Sequence, residues 1–415
     1  MNKKFISMIF IIIAGEAIFM LPFLIPRIFR PVMLEAWNIT NTDMGLAFGA
    51  YGITSMISYL IGGPFADKYS PRKLIVASLL ITLLGSIVLI LIPSKQTLIY
   101  TYGFFGVSTI LLMWGALIKV THEVGGADKR ATAMGILDSG RGLTAAIVGS
   151  VLTTVVAMSF TDVELSSNKI DAINLIYSIT SGFIIITAIC VWYGLKGVET
   201  KEAKKHDWNL KKAKKVFMNF DVWLLGVIVL TAYCGYKNID NLSVYLVDVH
   251  NFSLMESSKF TTLIFWVRPI AALLAGIVAD KIAYKMTGGR FLTLTTLLFL
   301  GAISQLLIAL NMFTSVALIL SILIITSAFT YALRAIYFSV FGGLGIPDNI
   351  VGTTVGVVSV VGFLPDMFFG ATTGHLIDKY PGAPGYSYVF LLTGTFLLLG
   401  TLASFISYRR MLKRN

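Results

Sequence analysis

Apolar runs of about 20 residues recur along the chain, and that repetition constrains the fold more than any other feature. They cover residues 5–26, 44–65, 74–93, 98–121, 131–158, 173–195, 221–244, 258–279, 290–310, 315–341, 350–372 and 387–408. A helix of about 20 residues crosses the roughly 30 Å hydrocarbon layer of a bilayer. Twelve such runs with short polar breaks predict an all-α membrane protein with twelve transmembrane helices. The runs are continuous rather than alternating at period two, which argues against a β-barrel. Composition agrees: 56% of the 415 residues are hydrophobic and 13% charged, about half the charged share of a soluble protein. A soluble enzyme, a nucleic-acid binder and a disordered chain are excluded on that ground.

The net charge is +12, and its placement gives the topology. Basic residues collect in cytoplasmic loops. With the N-terminus inside, the inner segments hold 22 of them, against 6 outside (Arg27, Arg30, Lys95, Lys169, Lys259 and Lys379). Both termini are therefore expected in the cytoplasm. The first run is longer than a signal-peptide core and has no small-residue cleavage site, so it reads as a span. Cys190 and Cys234 lie inside apolar runs, with no CxxC and no metal-ligand cluster, so no disulfide, metal or cofactor is expected. The Lys-rich stretch 196–220 falls at mid-chain and reads as a solvated linker, with binding to anionic headgroups the alternative. The expected domains are a six-helix bundle over 1–195, this linker, and a second bundle over 221–415.

The halves echo one another. Gly63-Pro-Phe-Ala-Asp67-Lys68 ends the second run and Gly276-Ile-Val-Ala-Asp280-Lys281 the eighth. Ala131-Thr-Ala-Met-Gly135 in the fifth matches Gly352-Thr-Thr-Val-Gly356 in the eleventh. Glycine in such a motif permits close helix approach. The aspartate at the membrane edge can meet a helix N-terminus or an arginine, giving a latch that forms in one state and breaks in another. Gly63, Asp67, Lys68, Arg72, Gly276, Asp280 and Lys281 are the candidate latch residues. A third look-alike, Gly374-His-Leu-Ile-Asp378-Lys379, falls on the outer side and reads as coincidence.

The stretch from Gly63 to Lys73 resembles the signature loop of the major facilitator superfamily of secondary transporters, with Ser70 where that family usually has glycine. Trp114-Gly-Ala-Leu-Ile-Lys119 and Gly135-Ile-Leu-Asp138-Ser-Gly140-Arg141-Gly142 are similar to its bacterial sugar-phosphate-permease-like, YihN-like subgroup. The resemblance implies two pseudo-symmetric six-helix bundles and alternating access. The Gly-Pro-rich fifth-helix motif of drug/proton antiporters is missing, which disfavours drug efflux.

Ionisable residues within the spans mark candidate transport sites, because each is costly there unless paired or facing water. Glu16 lies about 16 Å into the first run at ~1.5 Å per residue, and suits a proton-coupling or substrate-binding carboxylate. Asp138 and Arg141, three apart on the fifth run, share a face and can pair. Arg268 precedes Pro269 on the eighth, and Arg334 is flanked by Tyr331 and Tyr337 on the tenth. Lys237 and Asp240, with Tyr233, Tyr236 and Asn241, make a polar patch that fits a gate or a helix end equally. Asp366 beside Pro365 reads as gate or cap. Lys119, His122 and Glu123 read as inner-edge anchors, and Arg27 and Arg30 as outer interfacial anchors. Trp114, Tyr233, Tyr236, Trp266 and Tyr331 read mainly as packing aromatics, with a sugar pocket the alternative.

Glu16, Asp138, Arg141, Arg268, Arg334 and Lys237 are thus the candidate substrate or coupling residues. The arginine surplus at mid-depth favours an anionic substrate, since guanidinium grips carboxylate or phosphate with two hydrogen bonds. No P-loop is present, which leaves proton or exchange coupling as the source of work. The expectation is a monomeric, non-enzymatic transporter in the bacterial inner membrane. It moves a small organic anion (a sugar acid, carboxylate or phosphorylated metabolite) with protons. Uptake of an amino acid or nucleoside, and drug/proton antiport, are the alternatives.

Overall fold

The computed structural model describes residues 3–125, 130–196, 216, 218–313, 315–340 and 348–413. All regular structure among them is helical. Span 1 is broken into Lys3–Ala17, a π-turn Met20–Leu24 and Ile25–Trp37, with a bend of 43°. Span 2 is Asn41–Lys68 and span 3 Pro71–Leu91. Span 4 joins Lys95–Thr109 and Gly115–Gly125 through a π-turn, Ile110–Trp114. Span 5 is Arg130–Ser159 and span 6 Lys169–Gly194. Span 7 comprises Phe220–Asn238, a 3-10 turn Ile239–Asn241 and Leu242–His250. Spans 8, 9 and 10 are Leu254–Lys285, Gly289–Ala309 and Val316–Ile336. Span 11 is Asp348–Gly362 followed by Pro365–Lys379, and span 12 is Ala383–Leu412.

These are the twelve helices expected, in two pseudo-symmetric sets of six, and the two sets repeat a cap at equivalent places. Span 1 ends at Asn38 and span 7 at Asn251, both left-handed with φ of 50° and 54°, a conformation asparagine tolerates at helix ends. Two residues later a capping box opens the next span in each half. The Asp43 amide donates to Thr40 Oγ1 at 3.1 Å while Asp43 Oδ2 accepts from the Thr40 amide at 3.1 Å. The Glu256 amide donates to Ser253 Oγ at 3.1 Å while Glu256 Oε2 accepts from the Ser253 amide at 2.8 Å. The pairs are separated by the same offset as Gly63 and Gly276. Each box satisfies two backbone donors that a helix start leaves open.

Spans 1 and 7 run well beyond their apolar runs, to Trp37 and His250. The added turns carry polar residues that are buried. Arg30, expected as an interfacial anchor, is 1% exposed. Its Nη1 donates to Asn241 Oδ1 at 2.8 Å. Arg27 is buried too, 5.6 Å from the Phe23 ring centroid. Hydropathy stops at these arginines because it reads each as if it met lipid alone.

Contacts divide the chain into two compact units. One holds Met1–Lys204 with Asn241–Trp266 and Gly370–Asp378, and the other Lys205–Asp240, Val267–Phe369 and Lys379–Asn415. The first has a core that includes Ile11, Leu24, Phe105 and Ile176, the second one that includes Leu225, Ile228, Leu294 and Leu397. Away from these cores the spans expose leucine and isoleucine, such as Leu84, Ile87, Ile186, Ile270, Leu273 and Leu402. That much exposed apolar surface is tolerable only against lipid.

With lipid outside, spans hold together by close packing rather than by hydrophobic burial. Span 4 meets span 2 at Gly106, where an added Cβ would fall against Thr54 Oγ1 and 2.5 Å from the Tyr51 carbonyl oxygen. Gly106→Ala is therefore expected to destabilise the first unit by ~1–3 kcal/mol through overpacking. Gly135→Ala, where a Cβ meets nothing within 4 Å, is expected to leave stability unchanged or slightly raised. Thermal unfolding of the two purified variants checks this pair.

Candidate functional site

Two clusters of buried charge lie at breaks in the helices, one in each unit. In the first unit, Glu16 sits one turn before the π-turn of span 1, and Arg141 projects from span 5. Arg141 Nε lies 3.2 Å from Glu16 Oε2, and the residues are 6% and 7% exposed. Gly15 and Gly140 make room: a Cβ on Gly15 would come 3.3 Å from Arg141 Cδ, and one on Gly140 2.7 Å from Ile12. Aromatic rings close the site. The guanidinium carbon is 5.2 Å from the Phe19 ring centroid and 5.9 Å from that of Trp114. Trp114 belongs to the π-turn of span 4 and meets Phe19 and Tyr59 edge-on. π-turns change which residues a helix presents and recur at functional sites. Asp138, one turn from Arg141 on span 5, is half-buried.

In the second unit, Lys237 Nζ lies 2.7 Å from Asp240 Oδ2 and 3.6 Å from Asp366 Oδ1. Both Asp366 oxygens accept from the Tyr233 hydroxyl at 3.0 Å. Lys237 and Asp240 are 2% and 3% exposed, so this is an interior ion cluster and not a helix end surfacing. Span 7 breaks into its 3-10 turn just after Lys237, and span 11 is interrupted between Gly362 and Pro365 just before Asp366. Arg334 of span 10 stacks over Tyr236, its guanidinium carbon 4.1 Å from the ring centroid. Tyr236 in turn stacks on Tyr233 and meets Tyr331 edge-on. Asn241, grouped with this patch by sequence, instead joins Arg30 in the first unit. Arg268 is buried on span 8, while Trp266 nearby donates to Ser150 Oγ at 3.0 Å and serves packing against span 5.

Helix breaks are tolerated within a membrane only where protein or a cavity receives them, and they recur at the binding sites of membrane transporters. The sequence profile of the Major Facilitator Superfamily matches residues 5–370. The chain belongs to that superfamily.

Two relatives from Escherichia coli (strain K12) span nearly the whole length. Inner membrane protein YqcE is 26% identical, over 99% of this chain and 96% of its own. Inner membrane protein YihN is 25% identical, over 100% and 97%. Two further relatives have substrates in their names, each 24% identical. The probable sulfoacetate transporter SauU of Cupriavidus necator matches over 90% of this chain and 87% of its own. The hexuronate transporter of Bacillus subtilis matches over 91% and 87%. Among solved structures, a bacterial homologue of the human lysosomal transporter Spinster superposes with a TM-score of 0.77. It is 15% identical, with 99% of this chain and 98% of that one covered.

The superfamily's signature loop is only partly seen, since the surroundings of Gly63 and the Asp67 side chain lie outside what the structure describes. Lys68 is exposed, 5.6 Å from the ring of its neighbour Tyr69. Arg72 stacks on Trp192 at 4.3 Å and donates to its carbonyl at 3.4 Å, tying span 3 to the end of span 6. In the second copy Asp280 Oδ1 accepts from Arg290 Nη2 at 2.8 Å, and Arg290 Nη1 donates to the Ser339 carbonyl at 3.2 Å. Lys281 is exposed. A Cβ on Gly276 would meet nothing within 4 Å among the described residues.

Proposed function

We propose that this protein moves a small organic anion across the cytoplasmic membrane by alternating access, together with protons. The observation that carries the proposal is the buried Glu16–Arg141 pair at the breaks of spans 1 and 4. Arg141 offers an anion a fixed, planar set of donors in a site walled by Phe19 and Trp114. An incoming carboxylate, sulfonate or phosphate competes with Glu16 for that guanidinium. Glu16 then loses this counter-charge, and taking up a proton avoids leaving a bare carboxylate buried. Anion and proton thus bind together, which is symport. Sulfoacetate and hexuronates, the substrates named for two relatives, carry the anionic groups that this chemistry suits.

The Lys237–Asp240–Asp366 cluster is assigned a supporting role in this reading, holding the broken segments of spans 7 and 11 together. Asp138, Arg268 and Arg334 remain candidate substrate contacts. The Asp280–Arg290 pair and the span 2 loop act as cytoplasmic latches, both termini lie inside, the bundles divide at the basic linker, and the unit of function is a monomer. Initial uptake into proteoliposomes with and without an inward proton gradient tests the substrate class. Hexuronates, sulfonates, dicarboxylates, sugar phosphates, amino acids and nucleosides form the panel. At least one organic anion is expected to accumulate only with the gradient. Accumulation of an amino acid or nucleoside alone would overturn the assignment.

A further inference from the structure

The third Gly-x-x-x-Asp-Lys stretch, read from sequence as coincidence, makes a specific contact. Asp378, in the last turn of span 11, places its carboxylate on the first turn of span 2. Its Oδ1 accepts from the Asn41 amide at 3.2 Å, and its Oδ2 from the Thr42 amide at 2.7 Å and the Thr42 hydroxyl at 2.5 Å. Amides in a helix's first turn have no acceptor within their own helix and carry partial positive charge. A carboxylate bonded to two of them answers both. All these residues belong to the first unit.

The backbones beneath this cap touch. A Cβ on Gly374 would fall against the Asn41 carbonyl oxygen and 2.6 Å from its carbon. A Cβ on Gly45 would fall against the Gly370 carbonyl oxygen and 2.7 Å from the Ala371 Cα. Gly370, Gly374 and Asp378 recur every fourth residue on span 11 and meet Asn41 and Gly45, also four apart, on span 2. Among the described residues, further hydrogen bonds in this unit join the two halves of the sequence: Thr153 with Thr262 at 2.8 Å, Arg30 with Asn241, and the Ser253 hydroxyl to Asp162 Oδ1 at 3.2 Å. Asp378 differs in placing a carboxylate on two first-turn amides of one helix. It is exposed, so water screens it, and the contact is weak enough to break within a cycle.

We propose that Asp378 is a latch on the outer ends of spans 2 and 11. It caps span 2 while these ends are packed and returns to water when they part, so it sets the balance between the two states. The proposal rests on the alternating-access reading above, but its test needs no substrate. Phe48→Cys, whose parent side chain packs on Gly370, provides a thiol in a Cys190→Ala/Cys234→Ala background. The rate at which it reacts with a maleimide in purified, nanodisc-embedded protein reports how often the ends separate. Asp378→Asn is expected to raise that rate about threefold to fivefold, in the upper part of the range for a charge at an exposed helix end. Asp378→Glu keeps the charge and is expected to stay within about twofold of the parent. Lys379→Gln, which removes the adjacent charge, is expected to leave the rate unchanged. Raising the salt concentration speeds the parent reaction but not that of Asp378→Asn, an outcome that needs only the parent to fold well. An Asp378→Asn rate equal to the parent's, or an equal rise in Lys379→Gln, would overturn the latch. An altered rate in a protein that moves no anion would sink the substrate assignment and leave the latch standing.

Discussion

Replacing Arg141 with alanine is expected to lower initial uptake of the transported anion about 100-fold, equal to ~2.7 kcal/mol, within the range for truncating one partner of a buried charge pair. The same change leaves Glu16 buried without the guanidinium now 3.2 Å away, so folding stability falls as well, by ~3–5 kcal/mol if the site cannot relax. Lost function and lost stability must therefore be told apart. The double variant Glu16→Gln/Arg141→Gln removes both charges at nearly constant volume. It is expected to recover most of the thermal stability and none of the uptake. If the pair were only a structural bridge between spans 1 and 5, stability and uptake would return together.

The second large effect belongs to Lys237. Lys237→Met removes the ammonium that lies 2.7 Å from Asp240 and 3.6 Å from Asp366. Asp366 keeps the Tyr233 hydroxyl, but the ion pair to Asp240 is lost in a region that is almost fully buried. A stability loss of ~3–5 kcal/mol is expected. Adding Asp240→Asn restores a good part of it, giving a coupling of more than about 1 kcal/mol between two residues in direct contact. Thermal unfolding of the two single variants and the double closes the cycle. Additive losses would mean that the 2.7 Å contact contributes nothing to the second unit.

Much of the fold can be read from hydropathy, because each span must hide its own backbone from lipid and so carries a long apolar run. The charges within the spans are legible for the same reason, as Glu16, Arg141 and Lys237 are exceptions within such runs. Their partners are not. Arg141 shares a helix face with Asp138, so local spacing offers that pair, while its contact with Glu16 depends on how span 5 crosses span 1. Asp366 stood between gate and cap because nothing near it in sequence indicates Tyr233 or Lys237. The breaks at Gly362–Pro365 and after Lys237 were the signals available, since interrupted helices tend to surround binding sites. The Asp378 stretch reads as coincidence for a similar reason. Two of its three donors are the backbone amides of Asn41 and Thr42, which have no side-chain signature, and the third, the Thr42 hydroxyl, lies 336 residues away in sequence.

Proton movement during anion uptake separates symport through Glu16 from uptake without protons. Proteoliposomes loaded with a pH-sensitive dye and given the transported anion outside, with no imposed pH gradient, report it. Inward proton flow is expected with the unsubstituted protein. With Glu16→Gln no proton flow is expected, while exchange of labelled for unlabelled anion continues. Proton flow that persists undiminished in Glu16→Gln, or anion uptake by the unsubstituted protein with no accompanying protons, would contradict symport through Glu16.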